Sequence, residues 1–232
     1  FRPEEEKNDP AFARELASMA EIYVNDAFGT AHRAHASTAG IAAFLPAVCG
    51  FLIEKEITVM GKAMEHPEHP FVAILGGAKV DEKLGLIERL LTEHCDTVLI
   101  LGGMSYTFQK AAGGSIGDSL CNDAMLETVS GLEEKARLVG SRLLLPEDNI
   151  VADRFANDAN TMCVPSGQIP DGWMGMDIGP RTIEKYTAII EQARTVVWNG
   201  PAGVFEMPRF AVGTRAIATA VANSKGVSII GG

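Results

Sequence analysis

The sequence predicts an α/β fold, a doubly wound parallel sheet, and three features support it. Short β-rich runs alternate with helical stretches from Phe71 onward, the pattern of parallel strands joined by crossover helices. Glycines stand at the ends of those runs, where such sheets turn toward their ligands. At 47% apolar and 22% charged over 232 residues, the chain can bury a sizeable core, and its length lies between one large domain and two modest ones.

The chain opens on the polar run Arg2-Pro3-Glu4-Glu5-Glu6. Asp9-Pro10 places an N-cap before a proline at the first helical position, so a helix to about Ala20 follows. Ile22-Tyr23-Val24 is a short strand, and Asn25 to His35 is a polar loop carrying His32, Arg33 and His35. Such loops are most often solvated surface, although they also tend to carry function. The apolar stretch Ala39 to Ile53, broken by Pro46, falls short of the roughly 18 residues of a membrane span and reads as buried core. Ile53, Ile57, Met60 and Met64 recur at helical spacing between charged residues and form one amphipathic helix. His66-Pro67-Glu68-His69-Pro70 ends that helix and makes a joint.

Beyond the joint, Phe71 to Leu75 is a strand, Lys79 to His94 a helix, Thr97 to Leu101 a strand, and Tyr106 to Ala112 the start of a further helix. Asp123 to Val139 is helical and Arg142 to Leu145 is a strand. The strands Thr195 to Trp198 and Val227 to Ile230 bracket a helix from about Phe210 to Asn223.

A formal charge of -10, from 20 basic against 30 acidic residues, argues against general affinity for nucleic acid or for anionic membranes. An anionic ligand must then be held by a local cluster of donors. Cys49, Cys95, Cys121 and Cys163 form no C-x-x-C pair, so they suggest neither a zinc site nor a redox motif and fit a reduced cytoplasm. No charged-then-apolar leader is visible. The closing Ile229-Ile230-Gly231-Gly232 reads as a strand entering a turn, so the chain is expected to be an internal piece of a longer one.

The strand ends carry Gly76-Gly77-Ala78-Lys79, Gly102-Gly103-Met104, Asn199-Gly200-Pro201-Ala202-Gly203 and Gly231-Gly232. A single glycine there is ordinarily only a turn. Clusters at four strand ends point further, because glycine lets backbone N–H groups approach a phosphate and a helix N-terminus adds partial positive charge. Lys79 and Lys83 fall in the first turns of one predicted helix, on one face, where the dipole disfavours cations by up to about 1 kcal/mol. An anion would account for them; two solvated lysines are the plain alternative. Neither G-x-x-x-x-G-K-[ST] nor G-x-G-x-x-G occurs, which leaves a P-loop and a dinucleotide fingerprint unsupported.

Four stretches carry a resemblance. The run from Tyr23 to Ser37, Leu75-Gly76-Gly77-Ala78-Lys79-Val80, Trp173-Met174-Gly175-Met176-Asp177-Ile178-Gly179-Pro180 and Val197-Trp198-Asn199-Gly200-Pro201 resemble signatures of the phosphoglycerate kinases, in that family's order and across the whole chain. The resemblance implies residues 1–52 as the remnant of an N-terminal phosphoglycerate-binding α/β domain, 53–66 as an interdomain hinge helix, and 67–232 as a nucleotide-binding domain truncated at its C-terminus. It implies reversible phosphoryl transfer between ATP and 3-phosphoglycerate, giving ADP and 1,3-bisphosphoglycerate in glycolysis, with Mg2+ carried on the nucleotide, by a cytoplasmic monomer. By similarity Lys83 and Lys79 are the catalytic cations, and Arg33 with His32 binds the acid substrate. Gly77, Ala78, Lys79, Lys83, Gly102, Gly175, Asn199, Gly200 and Glu206 would hold the nucleotide, Glu206 toward the ribose and Gly175 near the adenine. No residue is assigned as a direct metal ligand.

Two departures from the family pattern stand out. Leu101 replaces a glycine, which is expected to narrow the base pocket, and Glu82 replaces the aspartate before Lys83, a longer carboxylate able to face phosphate-bound magnesium. The resemblance also places further acid-binding residues and a magnesium aspartate outside this chain, so the chain alone is expected to be inactive. A nicotinamide-dependent oxidoreductase fits the alternation but lacks its fingerprint. A noncatalytic nucleotide-binding fragment is the stronger rival.

Overall fold

The computed structural model describes residues 2–92 and 95–231, with the backbone alone for 62–64. The chain divides into two compact units, Phe1–Met64 and Glu65–Gly232.

In the first unit, α1 spans Pro3–Glu6 and α2 spans Pro10–Ala17. Asp9 caps α2 as expected, its Oδ1 accepting from the N–H groups of Ala11 and Phe12 at 2.9 Å each. Strand β1 (Tyr23–Asn25) is followed by a one-turn helix, α3 (Phe28–Ala31), inside the segment read as loop. Strand β2 (Ala47–Cys49) pairs with β1 in parallel, and α4 spans Phe51–Glu65. Asp26 caps α4 from outside it, accepting from Leu52 N–H at 2.8 Å and Ile53 N–H at 3.2 Å. The buried core expected over Ala39 to Ile53 is not found: Ile53 is the one buried residue there, while Val48 is 53% and Phe51 86% exposed. The reason is thin layering, since two short strands offer little surface to cover an apolar run. Ile57, on the expected apolar face of α4, is likewise exposed, and the Met64 side chain lies outside the described residues.

The second unit runs through β3 (Phe71–Leu75), α5 (Leu84–Thr92), β4 (Thr97–Ile100), α6 (Met104–Ala111), β5 (Ser115–Ile116), α7 (Leu126–Ser130), α8 (Leu132–Leu138) and β6 (Arg142–Leu144). It continues with β7 (Asp148–Ala152), β8 (Thr161–Pro165), β9 (Gln168–Ile169), β10 (Met174–Ile178), α9 (Pro180–Glu191), β11 (Thr195–Asn199), α10 (Val212–Asn223) and β12 (Val227–Gly231). A five-stranded parallel sheet in the order β12-β11-β3-β4-β6 forms its centre. Every residue of β3 and β4 is buried, as in strands covered on both faces. Val72, Ile74, Leu99, Val196 and Trp198 meet Tyr186 and Ile190 of α9 and Ile217 and Val221 of α10 on one face. Alternation turns Phe71, Ala73 and Leu75 to the other, and α5, which packs on β4, buries Ile87, Leu90 and Leu91. The doubly wound sheet is therefore as expected.

Several elements differ from expectation. The helix expected from Lys79 starts at Leu84, and its expected end at His94 lies outside the described residues, as does Gly232. The helix expected over Asp123 to Val139 breaks at Gly131, a residue with high backbone entropy. Between β6 and β11, where no element was expected, a three-stranded antiparallel sheet in the order β10-β7-β8 and helix α9 stand. Among the described residues no helix is long and apolar enough to cross a membrane.

Candidate functional site

Across the sheet β3 is flanked by β4 and β6 on one side and by β11 and β12 on the other, so strand order reverses between β3 and β11. Ligands of such sheets gather beyond the carboxyl ends of the strands at that reversal. Leu75 is level with both Asn199 and Ile100, so the turns leaving β3, β4 and β11 meet there. Their backbones interlock: Gly76 N–H donates to Asn199 O at 2.9 Å, Gly77 N–H to Pro201 O at 3.0 Å, Gly102 N–H to Ala202 O at 3.1 Å and Met104 N–H to Gly77 O at 2.9 Å. Gly102 has φ +68°, and a Cβ there would stand 2.5 Å from Gly77 N and 2.8 Å from Pro201 O. Gly102→Ala is expected to cost at least about 1 kcal/mol of stability. An unchanged melting temperature would mean that the crossing is looser than it looks.

Beside the crossing lies a cleft of about 650 Å³. Of the residues expected around the nucleotide, Gly77, Ala78, Gly102, Gly175 and Glu206 line it, while Lys79, Lys83, Asn199 and Gly200 stand off its wall. Gly200, at φ +93°, packs against the backbone of Gly76. The expectation that Lys79 and Lys83 share a helix face is corrected, because both precede α5 in a turn pinned by the buried Val80. Cations are disfavoured at a helix N-terminus, and this placement keeps Lys79 off it, whereas Lys83 directly precedes Leu84 and its carbonyl accepts from Ile87 N–H at 2.9 Å, which makes it the N-cap of α5. Lys79 Nζ reaches outward to Glu82 Oε1 at 2.6 Å, a hydrogen bond that holds its pKa above the usual lysine value. Lys83 turns inward and donates to Asn199 Oδ1; burial lowers its pKa, opposed in part by Glu82.

Leu101 is fully buried in the core cluster with Ile74 and Trp198 and is absent from the cleft wall, so it does not narrow the pocket directly. His32 and Arg33 lie in the first unit just after α3, both exposed. Sequence reasoning missed Tyr106, Asp118, Leu120 and Phe155, which also line the cleft. No local signal marks them, since they come from α6 and from loops far apart in the chain.

The description "Phosphoglycerate kinase" belongs to the family model that matches residues 1–232 of this chain. The chain belongs to the phosphoglycerate kinase family. It is 58% identical over 236 residues to the phosphoglycerate kinase of Chlorobium phaeobacteroides (strain BS1), covering 100% of this chain and 59% of that protein. It is 55% identical over 232 residues to that of Moorella thermoacetica, with the same coverage of 100% and 59%. The solved structure of phosphoglycerate kinase from Coxiella burnetii superposes with a TM-score of 0.87 at 43% identity, covering 100% of this chain and 60% of that one. The chain thus spans about 59% of the length of such relatives. Membership of the phosphoglycerate kinase family removes the nicotinamide-dependent reading.

In this phosphoglycerate kinase family member a buried carboxylate, Asp177, stands behind the cleft wall at Gly203. Asp177 is 2% exposed, and it accepts from Ile178 N–H at 2.9 Å and from Gly213 N–H in the first turn of α10 at 2.8 Å. Burial pushes its pKa up to about 6, against the pull of those backbone bonds. Asp148 caps α9 in the same manner, accepting from Arg181 N–H at 3.0 Å and Thr182 N–H at 2.9 Å. There burial raises the pKa, but the bonds from Thr182 and Arg181 outweigh it and hold the carboxyl below its usual value.

Proposed function

We propose that this chain forms the nucleotide-holding part of an enzyme that passes a phosphoryl group between ATP and the carboxyl group of 3-phosphoglycerate. The observation that carries this reading is Lys83, a partly buried cation bonded to Asn199 beside the interlocked glycine turns. Among the described residues, the wall of the neighbouring cleft includes Asp118 and Glu206 and no Lys, Arg or His. Phosphates would be repelled there, so the cleft suits the base and ribose, with Glu206 accepting from ribose hydroxyls. The phosphates then extend past the Gly77–Ala78 turn toward Lys83 and Lys79, where Lys79 exchanges Glu82 for an anion.

Phosphoryl transfer asks for in-line geometry and neutralised charge more than for covalent chemistry. Lys83 supplies charge to the moving group in this scheme, Arg33 and His32 orient the acceptor carboxylate, and α4 serves as the hinge. Among the described residues no three His, Cys, Asp or Glu side chains gather to hold a metal. Mg2+ carried on the nucleotide phosphates would need only one or two protein carboxylates, and Glu82, paired with Lys79 in this structure, is the carboxylate the sequence offers for it. The free cysteines Cys49, Cys95, Cys121 and Cys163 accord with a reducing compartment.

Calorimetry of the 232-residue chain with ADP is the test. We expect heat from weak binding near a Kd of about 1 mM or tighter, roughly 4 kcal/mol or more. A folded chain giving no heat overturns the reading. A coupled assay with ATP and 3-phosphoglycerate tests the rival of a noncatalytic fragment, for which binding comes without turnover; the chain's span of 59% of a relative's length favours that outcome.

A further inference from the structure

Tyr106 has an open valence on the cleft wall. Its side chain is 4% exposed, and its ring packs among Ile116, Val151, Val164 and Ile169. The hydroxyl has no hydrogen-bond partner among the described residues. Tyr186, also buried in this unit, bonds instead to the carbonyl oxygens of Leu144 at 2.8 Å and Ile100 at 3.2 Å. Buried phenol hydroxyls are nearly always partnered, because leaving one unpaired is costly. Nor is the oxygen sealed in: among the described residues the sealed, unpaired side-chain atom is Asn8 Oδ1. The open space that Tyr106 borders is the cleft, which it lines beside Gly103 and Gly175. Gly175 makes that approach possible. A Cβ on Gly175 would overlap Tyr106 Oη and ring atoms Cζ and Cε1, and Gly175 N–H is fixed by Ser119 Oγ at 2.9 Å. Glycine inside a strand marks a close approach, and β10 carries one where the phenol comes up to the wall.

We propose that the Tyr106 hydroxyl is a hydrogen-bonding contact for the heterocyclic base of a nucleotide in this cleft, and so a specificity-determining residue. The inference rests on the nucleotide reading above and deepens it. Asp118 and Glu206 exclude the phosphates from this wall, which leaves the base as the part of the ligand that meets the phenol. Burial, with the Asp177 carboxylate nearby, raises the phenol pKa, so the group stays an O–H. It can donate to a ring nitrogen or accept from an exocyclic amine.

Tyr106→Phe removes that oxygen and little else. The 232-residue chain and the variant are each titrated with ADP and with adenosine, which lacks the phosphates, and each is melted without ligand. The expected result is about a fivefold or greater loss of affinity for both ligands, with no fall in the ligand-free melting temperature, since the variant loses a hydroxyl that had no protein partner. A fall in the ligand-free melting temperature would show that the hydroxyl has a partner inside the fold and would overturn the inference. Equal affinities in the two chains overturn the inference and leave the nucleotide reading standing. A loss confined to ADP overturns it by placing the contact at the phosphates. An unaltered chain that binds neither ligand overturns both.

Discussion

Replacing Lys83 by alanine, in the protein extended to the full length of its relatives, is expected to lower turnover about a hundredfold or more while moving ADP affinity little. The position explains the size. Lys83 sits where the β3 and β11 turns converge, donates to Asn199, and is desolvated enough for its pKa to fall. A cation in such a place acts more strongly on charge that develops during transfer than one in open water, and losing one preorganised donor typically costs about 10² to 10³ in turnover. Lys79 is the internal control, because its ammonium is exposed and already paired with Glu82. Lys79→Ala should act mainly on nucleotide binding. Separate measurement of kcat and of the ADP dissociation constant distinguishes the two effects. A surface lysine without a role would change either quantity less than about twofold and stability by less than roughly 0.5 kcal/mol. Near-normal turnover would take Lys83 out of the mechanism and leave the role to Arg33 and the backbone N–H groups of the crossing.

The parallel sheet was legible because its central strands are short apolar runs closed by glycine, and burial on both faces demands that composition. The Asp9 cap was legible because donor and acceptor lie within three residues. The other helix caps were not. Asp26 serves α4, Asp148 serves α9 and Asp177 serves α10 from separate elements, Asp177 and Gly213 being 36 positions apart. No local pattern announces such a partner. The second sheet escaped for a different reason: β8 buries one residue of five, and β10 carries Gly175 and Asp177, poor strand formers held by tertiary contacts. The same division runs through the cleft. Gly77, Ala78, Gly102 and Gly175 lie in runs with motif character and Glu206 follows from the family resemblance alone, whereas Tyr106 and Asp118 reach the wall only through the packing of α6 and β10.

The stability of this chain relative to its Asp177→Asn variant is expected to fall as pH rises from about 4.5 to about 7.5. Asp177 starts from an ordinary value of 3.8 and is pushed up to about 6 by burial. A raised carboxyl pKa means that the folded chain holds a proton which the unfolded chain has released. The stability from that proton is fully present below about 3.8 and is lost as pH rises through about 6. Two pKa units correspond to about 3 kcal/mol in all, of which about 2 kcal/mol falls within the stated interval. Asparagine keeps the shape and does not titrate, so the difference between the two chains isolates this carboxyl from the others. Ionised Asp177 still meets the positive end of α10 through Gly213 N–H, so the chain remains folded above the transition and simply gains less. Urea unfolding of both chains at several pH values gives the curve. A difference that stays flat across the interval would show that the α10 dipole and the backbone bonds cancel the burial. A midpoint near about 4 would return Asp177 to the behaviour of a solvated aspartate, at odds with its position between Gly203 and Gly213.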